Sequence, residues 1–387
     1  MAQTRTITTK KRAAFALLDA ALRPNPFWRP PPALPPSESP GSFLVVEPWG
    51  LGDVVLSTAL LAALREYFPA ARVTLLAKPY ARELLAHSES VDEIVEFDFP
   101  WTSFTDKYSP GRYKLGEMQK LFRYLRELKL DVSLDARRDA RSNVLTYLSG
   151  ARRRIGYDFG GGVHLLTDVV RSGNQNDHKI LDWLNLLRPL GIDPDLAHCP
   201  KLVVTPAELQ RAREMIAGAA PAGAGPLVAV HPGASKEVRR WESSRFAAVV
   251  AGLRAAHDAR VVVIDDPEGH ASSIAGVEGV PRLRLGMREL MAVLAVVDLL
   301  VCSDSGPMHV AGAVGTPVTA LFGPQRAEWY GPRGGHDRVV HVAEMPCRPC
   351  FDACIYTSAH CMAGISAHSV LATIGEQLSQ LSRSSRP

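Results

Sequence analysis

The amino-acid sequence predicts an α/β protein that contains two doubly wound, parallel sheets. Its 387 residues, 46% of them hydrophobic and 22% charged, suit a globular chain that is too long for one typical core. Short β-branched runs alternate with helical periodicity in both halves, and strands that alternate with helices usually form parallel sheets. We therefore predict two doubly wound domains, 41–200 and 201–387, behind a basic and proline-rich N-terminal extension, 1–40.

The stretch 43–68 organises the first predicted domain. An aromatic and β-branched run indicates a buried strand, Gly50 and Gly52 permit a tight turn, and apolar residues every four positions mark one helix face. Asp53 lies where that helix starts. Such an acid either caps the helix, whose dipole favours negative charge there, or acts on a ligand at the carboxyl end of the strand.

Strands and helices continue to alternate along both halves. In the first half we expect further strands at 73–77, 93–97 and 131–135, with helices at 54–68, 79–86 and 117–128. In the second half we expect strands at 227–231, 260–265, 298–302 and 318–322, with helices at 242–255, 288–294 and 307–314. Residues 205–226 are rich in Ala, Gly and Pro, and we predict loose chain there, near the domain boundary.

Arginine dominates the basic residues of this chain. The formal net charge is only +4, so no nucleic-acid partner is expected, yet 34 of the 44 basic residues are arginine. Guanidinium forks match phosphate and carboxylate oxygens, although genome composition explains such a bias equally well. Six arginines lie on either side of a predicted helix that follows a strand, where ligands of parallel sheets bind. They are Arg137, Arg138, Arg141, Arg152, Arg153 and Arg154.

Two loops of the second half carry candidate phosphate ligands. The turn 231–235 (His-Pro-Gly-Ala-Ser) follows a strand and presents amides and the Ser235 hydroxyl, with Arg239 and Arg240 just beyond it. Hydroxyl, amide and guanidinium groups together form a phosphate cradle. The loop 303–309 (Ser-Asp-Ser-Gly-Pro-Met-His) follows another strand, and its proline marks a helix start with free N–H groups. Each loop alone fits a structural turn, but the two together favour nucleotide binding.

Four motifs, in order and at the expected spacing, resemble glycosyltransferase family 9, the heptosyltransferases. They are Leu-Gly-Asp-Val-Val at 51–55, His-Pro-Gly-Ala at 231–234 with Arg-Trp at 240–241, Asp-Ser-Gly-Pro-Met-His at 304–309, and Leu-Phe-Gly-Pro at 321–324. The segment 152–157 is similar to the family's basic-Ile-Gly-aromatic element. The resemblance covers about residues 43–375 and excludes the proline-rich extension.

The resemblance implies a GT-B architecture, in which two Rossmann-like domains face a cleft. It implies a nucleotide-sugar donor, ADP-heptose, on the second domain, an acceptor on the first, and inversion at the anomeric carbon without a catalytic metal or other cofactor. Asp53 matches the family's proposed general base, Arg239 a basic residue on the diphosphate, and Glu268 an acid that reaches the ribose. The other implied donor residues are Ser235, Arg240, Asp304, Ser305, Gly306, Met308 and His309, and those implied near the acceptor are Gly50, Gly52, Arg137 and Arg141.

The expected reaction needs a base and a cation. A sugar hydroxyl is a weak nucleophile, so a carboxylate must take its proton, and the departing diphosphate needs N–H donors and positive charge. We expect Asp53 to supply the first and Arg239 the second, in transfer of a sugar to a phosphorylated glycolipid of the lipopolysaccharide core or a related lipid. If Asp53 is only a cap, Asp135 and Asp139 are the alternative bases. A non-catalytic nucleotide-sugar-binding protein and a GT-B-like nucleotide-sugar epimerase also stay open.

The segment 347–361 contains four closely spaced cysteines, in the pattern C-x2-C-x3-C-x6-C. They are Cys347, Cys350, Cys354 and Cys361. This density fits a structural zinc site or a packed cluster of reduced thiols, and a cytoplasmic location argues against disulfides. Such a metal would be structural and remote from catalysis.

The sequence predicts a cytoplasmic protein. No stretch approaches the roughly 18 to 20 apolar residues that span a bilayer, and no clear signal-peptide cleavage site follows the basic N-terminus. Residues 11–22 form either a plain surface helix or an amphipathic helix that lies peripherally on the cytoplasmic face of the inner membrane. The eight prolines between residues 24 and 40 predict an extended tether.

Overall fold

The structure is a computed structural model. It describes residues 34–35, 38–103, 109–158, 161–171, 173, 177–195, 197–219, 223–266, 268–274 and 279–384. The helix predicted at 11–22 and most of the proline-rich extension lie outside these residues. The chain divides into two compact units, one of Met1–Trp49, Ser57–Arg82 and Glu89–Cys199, the other of Gly50–Leu56, Glu83–Ser88 and Pro200–Pro387.

The first unit contains a six-stranded parallel sheet. Its strands are β1 (Ser42–Glu47), β2 (Arg72–Ala77), β3 (Glu93–Glu96), β4 (Val132–Leu134), β5 (Arg153–Tyr157) and β6 (Asp168–Val170). Their spatial order is β3-β2-β1-β4-β5-β6, and each neighbouring pair is parallel. The apolar residues of β1 are fully buried, as expected for a strand covered on both faces.

The second unit repeats this plan. Its strands are β7 (Leu227–His231), β8 (Arg260–Asp265), β9 (Arg282–Arg284), β10 (Leu299–Ser303), β11 (Val318–Leu321) and β12 (Arg338–Val340). Their spatial order is β12-β11-β10-β7-β8-β9, again all parallel. The predicted α/β class with two doubly wound sheets is confirmed.

Ten helices lie between these strands in the described chain, and two follow the last strand. They are α1 (Leu51–Tyr67), α2 (Tyr80–Leu84), α3 (Leu115–Glu127), α4 (Ala140–Leu148), α5 (Lys179–Leu184), α6 (Pro206–Ala219), α7 (Ser243–His257), α8 (Met287–Val296), α9 (Gly306–Ala313), α10 (Ala327–Tyr330), α11 (His360–Ala363) and α12 (Ala367–Ser384). Short 3₁₀ turns lie at Pro100–Thr102, Pro110–Arg112, Val163–Leu165, Asn185–Leu190, Glu237–Arg239 and His270–Ser273. Within the described part of the chain, no helix is both long and apolar enough to cross a membrane.

Each sheet reverses its strand order at one place. In the first unit this switch point lies between β1 and β4, and in the second it lies between β7 and β10. Ligands of open parallel sheets bind outside the carboxyl ends of the strands at such a point. Two places, one in each unit, are therefore the positions at which functional residues are expected.

The prediction of loose chain across residues 205–226 is wrong, because α6 occupies most of it. Thr205 caps α6 by accepting from the Glu208 N–H at 3.3 Å, and the Glu208 carboxylate accepts from the Thr205 N–H at 2.8 Å. This is a capping box, and Pro206 occupies the first helical position, where proline is favoured. The Ala, Gly and Pro content of the segment masked this start signal.

The Glu208 carboxylate also holds Arg288, through contacts of 2.8 Å to Nε and 2.6 Å to Nη2. The hydrogen bond from Arg288 lowers the pKa of Glu208 from its usual 4.5 to about 2. A carboxylate whose pKa is lower in the folded state stabilises the fold above its unfolded pKa. This contribution is lost as the pH falls from about 4.5 towards 2.

We expect Glu208→Gln to lower the free energy of unfolding by about 1 to 3 kcal/mol at neutral pH, since it removes the charge that pairs with Arg288, whereas the amide oxygen can still accept from the Thr205 N–H. Denaturant unfolding at several pH values measures this difference, which should shrink below about pH 4.5. Glu214→Gln on the exposed face of the same helix is the matched control. Equal losses for the two variants, or a loss that is constant with pH, would contradict this role for the ion pair.

Candidate active site

Asp53 lies in the first turn of α1 but is not its cap. The helix begins at Leu51, and the Gly50 carbonyl accepts its first helical hydrogen bond, from the Val54 N–H at 3.1 Å. Gly50 is therefore the N-cap and Asp53 the third helical residue. The Asp53 carboxylate accepts from the Gly50 N–H at 3.3 Å, which is the acidic half of a capping box. The structure thus gives Asp53 a helix-start role at a different position from the predicted one.

Gly52 allows His309 to approach the start of α1. Both residues belong to the second unit, and a Cβ atom at position 52 would lie 2.5 Å from the His309 Cδ2. His309 is half-buried, burial lowers its pKa to about 4, and the Asp53 charge acts on it in the opposite direction. A neutral imidazole and a carboxylate therefore lie close together in this unit.

We expect Gly52→Ala to lower turnover strongly, because the added methyl group must displace the His309 ring from the Asp53 region. Position 312 provides a matched control, because a Cβ atom added to Gly312 in α9 meets nothing within 4 Å. Steady-state kinetics of Gly52→Ala and Gly312→Ala check this expectation, with melting temperatures recorded for both. A Gly52→Ala protein with normal turnover would show that the close approach of His309 is not needed.

Arg239 is held by two carboxylates. Its Nε and Nη2 donate to the two oxygens of Asp352 at 2.7 and 2.6 Å, and its Nη1 lies 3.1 Å from the Asp304 Oδ2. The Arg239 side chain is 22% exposed and that of Asp304 only 4%, so this ion-pair group is largely shielded from water. Arg239 therefore has a fixed direction but is not an uncompensated cation.

Asp304 follows β10 at the switch point of the second sheet. Burial raises its pKa to about 6, against the charge of Arg239 and with added repulsion from Asp352 and Asp53. Its protonation state is therefore easily changed near neutral pH. The carboxylates in this region outnumber the cation Arg239, and any anion that binds here has to overcome that excess.

The turn after β7 lies beside the start of α9. The Ser305 hydroxyl lies 3.5 Å from the buried His231 Nδ1, and burial lowers the pKa of His231 to about 4. Arg240 donates through Nε to the Ala234 carbonyl at 2.8 Å, and Ser235 is exposed. A Cβ atom at position 233 would lie 1.8 Å from the Asp266 Oδ2, so any side chain at this position would have to displace the Asp266 carboxylate. The two predicted phosphate loops thus meet at the β7/β10 switch point.

The remaining predicted donor residues differ in accessibility. Met308 is 1% exposed, so its side chain lies in the core. Gly306 begins α9, where the helix dipole favours an anion, and Glu268 is exposed. Among the described residues, only Asp266, Glu268 and His270 form a group of three or more candidate metal ligands whose ligand atoms lie within 4.8 Å of one another.

A second cluster lies at the β1/β4 switch point of the first unit. The guanidinium carbons of Arg137 and Arg141 lie 5.1 and 5.5 Å from the centre of the Trp49 ring. Arg137 Nη2 donates to the Glu47 Oε1 at 3.1 Å, and Arg141 pairs with Asp139 through contacts of 2.8 and 2.5 Å. Two cations, each paired with a carboxylate, and an aromatic ring therefore come together at this switch point.

The two alternative bases of the first unit differ from Asp53. Asp139 caps α4 by accepting from the Arg141 N–H at 2.9 Å. Asp135 is fully buried, and burial raises its pKa well above the usual range. Its Oδ1 accepts from the Arg137 N–H at 2.9 Å, while its Oδ2 has no hydrogen-bond partner among the described residues.

The four cysteines of the segment 347–361 carry free thiols. Cys350 and Cys361 have raised pKa values because of burial, with added repulsion from neighbouring thiols. The four sulfur atoms do not form a compact ligand set among the described residues. The zinc hypothesis therefore stays a prediction.

Sequence reasoning missed three residues that the structure brings to these clusters. Glu47 is the last residue of β1. A charged residue at the carboxyl end of a buried strand is a pattern from which the sequence could have predicted it as a site residue. Trp49 follows two residues later. Asp352 had no local signal, because 113 residues separate it from Arg239.

Two Rossmann-like sheets, each in its own unit, are the fold of glycosyltransferases of the GT-B class. The sequence profile of glycosyltransferase family 9 (heptosyltransferase) matches residues 118–360, well over half of the chain. The chain therefore belongs to this family, and the predicted GT-B fold and glycosyltransferase activity are confirmed.

Known proteins of similar sequence and structure include heptosyltransferases. Lipopolysaccharide heptosyltransferase 3 of Escherichia coli is 25% identical over 291 residues, which cover 70% of this chain and 80% of that protein. The structure of E. coli ADP-heptose lps heptosyltransferase II has a TM-score of 0.69 at 21% identity, covering 88% of this chain and 99% of that one. E. coli heptosyltransferase WaaC with ADP has a TM-score of 0.65 at 16% identity, with 87% and 99% covered.

Proposed function

We propose that this enzyme transfers a heptose from ADP-heptose to a phosphorylated glycolipid of the lipopolysaccharide core, with inversion and without a catalytic metal. The observation that carries the proposal is the carboxylate of Asp53 in the first turn of α1, where the neighbouring Gly52 lies against His309 of α9. The name of the relative and the ADP in one similar structure support the donor and acceptor classes. Membership of the family supports the transfer itself.

In the proposed reaction, Asp53 takes the proton of the acceptor hydroxyl while that oxygen bonds to the anomeric carbon. The bond from this carbon to the β-phosphate oxygen breaks, and ADP leaves with the electron pair. Attack from the opposite face inverts the anomeric centre. A single displacement needs no covalent intermediate, and general base catalysis of this kind contributes about a hundredfold to ten-thousandfold.

The leaving diphosphate needs positive charge, for which the second unit offers Arg239 and the start of α9. Burial raises the pKa of Asp304 to about 6, so this carboxyl group can take up a proton when the diphosphate brings further negative charge. A neutral Asp304 donates a hydrogen bond instead of repelling the ligand. Together, these groups supply the positive charge and the hydrogen-bond donors that the leaving diphosphate needs.

We place the acceptor on the first unit. Arg137, Arg141 and Trp49 offer two guanidinium groups and a ring face, which suit a phosphorylated sugar. Because such a sugar is carried on a lipid, we propose that the enzyme works peripherally at the cytoplasmic face of the inner membrane.

Acceptor-dependent nucleotide release tests this function. Purified protein is incubated with ADP-heptose alone and with ADP-heptose plus core glycolipid from a strain that lacks this enzyme, with a chelator present. We expect ADP release only when the glycolipid is added, and an inverted anomeric configuration by NMR. Binding of ADP-heptose without release would indicate a non-catalytic binding protein, and a changed sugar without acceptor would indicate an epimerase.

A further inference from the structure

Asp352, a residue of the cysteine-rich segment 347–361, binds one edge of the Arg239 guanidinium group. Asp352 accepts from Nε and Nη2, which is the planar, two-bond arrangement in which arginine binds a carboxylate most strongly. Its side chain is only 16% exposed. The Nη1 end of the same guanidinium points to Asp304, at the carboxyl end of β10.

The backbone at Asp352 has an unusual conformation that neighbouring contacts hold in place. Phe351 and Asp352 have φ values of 52° and 65°, a left-handed conformation that residues other than glycine adopt only at a cost. The Phe351 ring stacks on Trp329 with ring centres 5.6 Å apart, and the Cys350 N–H donates to the Pro324 carbonyl at 3.2 Å. These contacts fix the turn that presents the Asp352 carboxylate to Arg239.

We propose that Asp352 is a positioning residue for the donor site. It holds the Nε edge of Arg239 so that the Nη1 end faces the β10–α9 loop, where the leaving diphosphate is bound in the proposed function, on which this inference rests. An arginine side chain has several rotatable bonds, and fixing it before the ligand arrives removes an entropic cost from binding. The cysteine-rich segment thereby acts on the donor site without itself contacting the reacting atoms.

Two substitutions of Asp352 should change ADP affinity to different extents. Asp352→Asn keeps the shape of the side chain but loses the charge and one of the two acceptor oxygens, so Arg239 is held less firmly. We expect about tenfold weaker ADP binding and a similarly raised KM for the donor, with kcat nearly unchanged. Asp352→Glu retains the carboxylate and should restore part of the affinity.

A double-mutant cycle separates positioning from mere support of the loop. If Asp352 acts through Arg239, then Asp352→Asn should have little further effect on ADP affinity in an Arg239→Ala protein. If it only supports the loop, the two losses should add. Thr357→Ala, at an exposed position of the same segment, is the matched control and should bind ADP like the wild type.

Calorimetric titration of the full chain with ADP measures all of these affinities. Weaker binding by Asp352→Asn, partial recovery by Asp352→Glu and non-additivity with Arg239→Ala would support the inference. Normal or tighter binding by Asp352→Asn, or additive losses, would overturn it while leaving the proposed function intact. A wild-type protein that binds no ADP would overturn the proposed donor site and this inference together.

Discussion

Replacing Asp53 by Asn should lower turnover by about a hundredfold to ten-thousandfold, the usual contribution of a general base. The amide retains an oxygen that can accept from the Gly50 N–H, as the carboxylate does at 3.3 Å, so the start of α1 should persist. Affinity for ADP should stay close to that of the wild type, because the substitution removes a proton acceptor and no donor to phosphate. Stopped assays of ADP release and calorimetry with ADP measure the two quantities separately.

Asp53→Ala is the control for the structural role. It removes both the base and the acceptor for the Gly50 N–H, and we expect a further loss of about 1 kcal/mol in the free energy of unfolding. If Asp53 only stabilises the helix start, Asp53→Asn should turn over at nearly the normal rate while Asp53→Ala melts earlier. An active Asp53→Asn enzyme would remove Asp53 from the mechanism. The base would then have to be sought at Asp135 or Asp139, although the first is buried and the second is paired with Arg141.

Arg239→Ala should weaken ADP binding by about 1.5 to 3 kcal/mol, which corresponds to roughly tenfold to hundredfold in Kd. The substitution leaves Asp304 and Asp352 without their shared cation, and repulsion between these carboxylates and the diphosphate adds to the loss. Turnover at saturating donor should also fall, because the leaving group then departs without this charge.

Arg239→Lys keeps the positive charge but cannot hold Asp352 through two parallel bonds. We expect it to fall between the wild type and Arg239→Ala in ADP affinity. Arg254→Ala, which removes an arginine from the last turn of α7, controls for a general loss of positive charge. Unchanged ADP affinity in Arg239→Ala would show that the diphosphate does not bind beside Arg239.

Much of the fold follows from the sequence because its strands are short, apolar and fully buried. The bounds of β7 and β8 agree with the prediction residue for residue. Short edge strands such as β9 and β12 were missed, since three residues with exposed or half-buried arginines carry no clear periodicity. The helix α6 was missed for a different reason, because its composition outweighed a capping box that the letters Thr-Pro-Ala-Glu already contain.

The candidate site was only partly predictable. Loops that follow strands are visible in a sequence, so Asp53, His231 and Asp304 were found from local patterns. The strand order that brings β7 beside β10 is a property of the folded sheet. The contact between His231 and Ser305 depends on that order and cannot be read from the sequence. The Arg239–Asp352 pair depends on a turn more than a hundred residues away, which no local pattern reports. Most residues of the site could therefore be predicted from the sequence, but its charge balance could not.

Mass spectrometry of the acceptor glycolipid tests the central claim most directly. The purified enzyme is incubated with ADP-heptose, a chelator and core glycolipid that lacks the final sugar, beside the Asp53→Asn protein at equal concentration. We predict that the wild-type protein adds one heptose to each glycolipid molecule and that Asp53→Asn adds almost none in the same time. A glycolipid of unchanged mass after incubation with wild-type protein that binds ADP would contradict the assignment of this chain as a lipopolysaccharide-core heptosyltransferase.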